Sequence, residues 1–270
     1  MIMKNDEREG LTIHIRPISG LILGIMAGVL LGLAATAQDL DDLLPLAKAG
    51  DAEVQNSLGD MYYYGQGVLQ SYEEAVRWYR LAAEQGDSWA QNALGDMYYY
   101  GQGVLQSYQE AVRWYRLAAE QENGWAQYNL GWMYLHGEGL PQDNVAALNW
   151  LQLAAGKDNG GAQTTLGNMY YEGNGVPQDY GEAVRWYRLA AEQGDDEAQY
   201  ELGNMYYNGI GVPQDYILAH AWANLASANG NPDAGELRDG IEFLLTPSLV
   251  AEAQKLAGCF ESGKALKECN

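Results

Sequence analysis

The amino-acid sequence predicts an all-α protein, an α-solenoid of five 36-residue helix-turn-helix units closed by capping helices. Three observations point there. The chain matches itself at a spacing of 36 residues, without gaps, across 51–86, 87–122, 123–158, 159–194 and 195–230. Each copy holds two apolar runs at helical spacing, each opened by a residue that caps helices well. A helix pair of this size cannot bury its apolar face alone, so neighbouring copies must stack and share a core.

Residues 1–37 stand apart from this pattern. Ile18 to Ala37 carries no charge, follows Arg16, and ends in Ala35-Thr36-Ala37, with small residues at the two positions a signal peptidase inspects. A cleaved secretory leader is expected, with Gln38 as the first mature residue. An uncleaved membrane anchor is the alternative, since about 20 uncharged residues can span a bilayer. Gly20, Gly24, Gly28 and Gly32 also recur at the spacing of packed membrane helices. No Cys lies near the end of the leader, which argues against a lipid anchor.

Residues 38–50 read as an N-terminal cap, because Leu43 to Gly50 resembles the end of a second helix. The first helix of each copy begins after Asp51, Asp87, Asn123, Asn159 or Asp195, shows apolar residues at the spacing Val54, Leu58, Met61 and Tyr62, and stops at Gly65-x-Gly67 or its equivalents. The second begins at Ser71, Ser107, Asp143, Asp179 or Asp215. Ser71/Glu74, Ser107/Glu110 and Asp179/Glu182 resemble capping boxes. Its body places Ala75, Trp78, Tyr79 and Ala82 on one face. Residues 231–270 read as a C-terminal cap and tail, with a further first helix starting near Asn231 and a last one from Thr246-Pro247 to about Leu256.

The pattern A-x-x-x-L-G-x-M-Y-x-x-G-x-G-V-x-Q-[SD]-Y-x-E-A-x-x-W-Y-R-L-A-A-E-Q-G resembles the Sel-one-like repeat, a relative of the tetratricopeptide repeat, over residues 51–230. Departures are local: Asn144 replaces the loop Tyr, and His220 and Ala223 replace Val and Tyr, so looser packing is expected there. The resemblance implies mediation of protein contacts, as an adaptor in signalling, secretion or envelope assembly. It also leaves open binding of β-lactams or peptidoglycan-like ligands.

Composition narrows the function. A net charge of -21 and a pI near 4.3 disfavour nucleic acid and anionic lipid, and favour a neutral or basic partner. No C-x-x-C, H-E-x-x-H, G-x-x-x-x-G-K-[ST], G-x-S-x-G or S-x-x-K occurs, and Ser262-Gly263-Lys264 has the wrong spacing for serine acylation. No catalytic residue, cofactor or metal ligand is therefore assigned. Cys259 and Cys269, outside the cytoplasm, are expected to form a disulfide.

Comparison among copies separates core from surface. The stretch LGDMYYYGQGVLQSY occurs at 58–72 and again at 94–108. The first tyrosine of its triplet recurs as Tyr62, Tyr98, Tyr134, Tyr170 and Tyr206, as a buried site requires. The second becomes Leu135 once and is mainly apolar, while the third varies as Tyr64, Tyr100, His136, Glu172 and Asn208 and is expected at the surface. It belongs to a stripe which in the first copy is Glu53, Asn56, Asp60 and Tyr64. In the third copy the stripe reads Trp125, Tyr128, Trp132 and His136, and Trp89 and Tyr100 continue it in the second. The expectation is an aromatic contact patch in the groove with acidic surroundings from Asp60, Asp96, Glu197 and Glu201. The scaffold alternative has Trp89 and Trp125 packed over the preceding turn. The Gln55 and Gln70 classes are expected to bond loop backbone, Arg77 and Arg80 to lie on a solvated outer face pairing with Glu, and His220 to be packed or capping. A carbohydrate-binding role for the aromatic stripe is a further alternative to peptide binding.

Overall fold

The computed structural model describes residues 40–262 and 266–269, and the leader expected over 1–37 lies outside them. All regular structure among the described residues is helical. Helix α1 (Leu40–Lys48) precedes the five pairs: α2 (Ala52–Tyr64) with α3 (Tyr72–Glu84), α4 (Ser88–Tyr100) with α5 (Tyr108–Glu120), α6 (Gly124–His136) with α7 (Asn144–Ala155), α8 (Gly160–Glu172) with α9 (Tyr180–Glu192), and α10 (Asp196–Asn208) with α11 (Tyr216–Ala228). Helices α12 (Ala234–Glu242), α13 (Pro247–Glu261) and α14 (Leu266–Cys269) follow. From α1 to α12 each helix packs on the next in chain order, which makes the body a solenoid, and α12 and α13 both pack on α11.

Helix ends follow from capping chemistry. Asp51, Asp87, Asn159 and Asp195 accept from the amide three residues on, and Asn123 does the same while also accepting from Trp125. Gly65 and its equivalents end the first helices in the left-handed conformation. The second glycine of the pair has another role. A Cβ on Gly103, Gly139 or Gly211 would lie 2.4–2.6 Å from the backbone of Tyr72, Tyr108 or Tyr180 in the preceding copy, so that glycine sets the spacing between copies.

Within a pair, a helical glycine lets the second helix lay an aromatic ring across the first. A Cβ at Gly59, Gly95 or Gly167 would stand 2.4–2.6 Å from the ring of Tyr79, Tyr115 or Tyr187. In the fifth pair the ring is absent, and Leu237 of α12 reaches to 3.3 Å of the same point on Gly203. The looser packing expected at Ala223 is thus not found: Ala223 is fully buried and the C-terminal cap closes the gap. Asn144 is likewise tied down, donating to Asn174 in the next copy.

Side-chain amides tie copies together. Gln55, Gln91, Gln127, Gln163 and Gln199 each donate to a carbonyl eight residues earlier, at 2.8–3.3 Å. Gln85, Gln121, Gln193 and Asn229 then donate to four of these, but Lys157 occupies the equivalent place for Gln127 and pairs instead with Glu122 at 3.0 Å. The side-chain oxygen of Gln127 is left buried without a partner. Glu122 and Asp158 also hold positive φ, 63° and 58°, where glycine stands at the other junctions. Copy three is therefore bounded by two strained joints.

At the front, Leu43 and Ala47 of α1 pack on Leu58 and Trp78. At the back, Phe260 of α13 stacks on Trp222 with centroids 4.5 Å apart. The last long helix starts at Pro247, as the sequence indicates, but runs to Glu261, five residues beyond the expected end. A disulfide joins Cys259 to Cys269, which ties α14 to α13.

Candidate functional site

The variable stripes of the first helices sit side by side. Asn129 of α6 donates to both Asn92 and Asp96 of α4, at 3.1 and 3.2 Å, so adjacent stripes form one continuous face. On it Trp89 is 57% exposed and Tyr100 49%, while Tyr64 and His136 are also exposed. Trp125, Tyr128 and Trp132 are half-buried. Trp89 is thus a free platform, whereas Trp125 takes the partly packed position that the scaffold alternative describes.

In copy three the rings form a run along α6. Tyr128 and Trp132 have centroids 6.4 Å apart, and Trp132 and His136 stack at 4.0 Å. The Nδ1 of His136 lies 2.9 Å from the Trp132 carbonyl and therefore carries the proton when the ring is neutral, which leaves Nε2 as the acceptor. Tyr128 is steadied from behind by Gly161, where a Cβ would come within 3.2 Å of its ring.

The acidic members of the stripe behave differently from the sequence expectation. Asp60 and Asp96 are not simple surface charges: each accepts from the phenol of Tyr79 or Tyr115 at 2.7 Å. Burial pushes the Asp60 carboxyl up to about 6, against the lowering effect of the Tyr79 bond. Burial likewise pushes Asp96 up to about 7, opposed by Tyr115. Glu201 is also raised, first by burial and then by the charge of Glu197.

These acid–phenol pairs were missed at the sequence level, although a signal exists. The two partners are 19 residues apart and vary together among the copies: Asp60/Tyr79, Asp96/Tyr115 and Asn168/Tyr187 are bonded pairs, whereas Trp132/Leu151 and Asn204/Ala223 lack the phenol. Copy three thus exchanges a polar pair for an apolar one and gains the indole of Trp132.

The tyrosine triplet also needs one correction. Its first position is buried only at Tyr206 and partly exposed in the other copies, and the hydroxyls of Tyr98, Tyr134 and Tyr206 accept from Arg80, Arg116 and Arg188 at 2.7–3.2 Å. Arg80 is therefore an inter-copy strut and not a free outer charge. Arg77, Arg113 and Arg185 do pair with Glu74, Glu110 and Glu182 and lie over Trp78, Trp114 and Trp186. Gln70 bonds the Tyr63 carbonyl at 2.7 Å, as its recurrence suggests. His220 is packed and does not cap: neither nitrogen has a hydrogen-bond partner, Glu242 stands 3.8 Å away, and burial lowers its pKa.

The Sel1 repeat family model matches residues 52–87, 90–123, 126–159, 161–195 and 196–231. The chain is a Sel1 repeat protein. Among solved structures, this Sel1 repeat chain is similar to a Sel1 repeat protein from Oxalobacter formigenes, at 33% identity and TM-score 0.69, covering 84% of this chain and 88% of that one. It is also similar to a protective antigen present in uropathogenic Escherichia coli strains that displays the same fold, at 35% identity and TM-score 0.72, over 83% of this chain. The match spans 50% of the length of that antigen. No curated protein matches the chain. Sel1 repeat proteins generally serve as scaffolds that bind other proteins, and they are typically non-enzymatic.

Proposed function

We propose that this Sel1 repeat protein is an exported adaptor that holds an extended peptide, or a helix of a partner protein, against the face made by its first helices, and performs no chemistry. The observation that carries this reading is the aromatic run Trp125, Tyr128, Trp132 and His136, with Trp89 and Tyr100 exposed beside it. Large rigid rings supply contact area at low entropic cost and commonly dominate interface energetics. Export is inferred from the leader-like first 37 residues together with the Cys259–Cys269 disulfide. No helix among the described residues is long and apolar enough to cross a membrane.

The test replaces both Trp125 and Trp132 with Ala and measures partner capture by crosslinking from the same face in envelope extracts. Capture is expected to fall at least about tenfold, the loss of roughly one hot spot. Unchanged capture by a folded variant would reject the patch. Stacked rings also suit sugar faces, and binding of muropeptides in place of peptide would favour the carbohydrate reading. Nitrocefin turnover by the pure protein would support the β-lactam alternative.

A further inference from the structure

The first helices of all five pairs, α2, α4, α6, α8 and α10, contain no Lys or Arg, and neither do the loops that leave them. The arginines of the repeats lie on the second helices and are engaged there with glutamate, indole or tyrosine. The face proposed above to hold a partner is therefore aromatic and acidic, with no cation of its own to neutralise it.

One carboxylate is central to it. Asp96 keeps part of its surface open, is oriented by Tyr115, Asn92 and Asn129, and has no cation among its hydrogen-bond partners. Tyr100 stands one helical turn beyond Asp96 on α4, and α2, which carries Tyr63 and Tyr64, touches α4. Burial raises the pKa of all three phenols, and the charge of Asp96 adds to it in each. Tyr100 in turn feels Tyr128 of α6 and Glu138 in the following loop, and Asp60 adds a second carboxyl beside Tyr64. Three helices thus direct phenols and carboxyls at one place. An acid next to electron-rich rings is the chemistry that receives a guanidinium or ammonium group, through an ion pair on one side and cation–π contact on the other.

Building on the adaptor reading, we propose that this place is a receptor for one basic side chain, an arginine or lysine of the bound peptide, seated between the carboxylate of Asp96 and the rings of Tyr64 and Tyr100. Seating a cation there requires the carboxylate form, so binding releases protons and strengthens as pH rises through 6 to 7, where Asp60 and Asp96 ionise.

The probe is a capped heptapeptide, Gly-Gly-Leu-Arg-Leu-Gly-Gly, against its neutral citrulline counterpart, titrated into the full-length protein and followed by tyrosine ring signals in NMR. At pH 8 the arginine peptide is expected to bind at least about tenfold tighter, and the preference should shrink to about twofold or less at pH 5 and in Asp96→Asn. That variant is expected to fold, because Asn168 makes the same bond to Tyr187 at 2.6 Å in copy four. Glu252→Gln, on the exposed side of α13, should leave both the preference and its pH dependence unchanged. Equal affinity for the two peptides, no binding of either, or an arginine preference that survives Asp96→Asn would overturn the receptor. If those results coincide with intact crosslinking that depends on Trp125 and Trp132, the adaptor reading stands without it. Crosslinking that is unchanged when Trp125 and Trp132 are replaced would instead remove the adaptor reading.

Discussion

At the residue scale, the burial of Asp60 and Asp96 works against stability at neutral pH and above, and their bonds to Tyr79 and Tyr115 offset part of it. Asp96 has a folded-state pKa near 7 and Asp60 near 6, both above the ordinary 3.8. The folded state therefore binds these protons more tightly than the unfolded chain does. The associated stability is fully present below about pH 4, where both states are protonated, and is lost as pH rises through 6 and 7. Asp96→Asn should flatten this dependence, raising stability by on the order of 1–3 kcal/mol at pH 8 with little gain at pH 4. Urea denaturation across that pH range would show it. An unchanged slope would mean that Asp96 is better solvated than its Tyr115 contact implies.

At the element scale, three of the five helix pairs are held by a glycine on the first helix and a tyrosine ring on the second, while Gly131 meets Leu151 and Gly203 meets Leu237. Gly167→Ala drives a Cβ to 2.5 Å from the Tyr187 ring, so it should cost about 2–3 kcal/mol through overpacking. Gly203→Ala meets Leu237 and backbone only at 3.3–3.4 Å and should be close to neutral. Gly258→Ala in α13 meets nothing within 4 Å and should stabilise by about 0.5–1 kcal/mol from helix propensity alone. Denaturant midpoints of the three variants check the ranking. A cost at Gly203 equal to that at Gly167 would contradict the role given to the tyrosine ring.

At the scale of the whole molecule, a solenoid has two ends, and each must be covered. The front is closed by α1 on Leu58 and Trp78, the back by α13 through Phe260 on Trp222. The Cys259–Cys269 bridge closes a short loop at that back end. Converting both cysteines to Ser should lower stability by about 2–3 kcal/mol on the chain-entropy estimate. Because neighbours alone couple in a repeat array, the loss should appear first as faster amide exchange in α13 and α11, with α2 to α5 unaffected. Uniform loosening along the chain would argue for a single cooperative unit.

Sequence alone determined the solenoid, its five copies and where their helices start, because a repeated core imposes the same residues at the same places five times over. It also singled out the stripe of the first helices whose residues vary among copies, although Asn92 in it is buried and Asp60 and Asp96 are partly buried. Tertiary structure decided what sequence comparison could not. It turned Asp60 and Asp96 from surface charges into bonded, proton-retaining groups, made Arg80 a strut to Tyr98, and filled the gap at Ala223 with Leu237 from the cap. Each of these contacts joins residues of two different helices. A repeat pattern shows that a position is constrained, but only the packed helices show which neighbour constrains it.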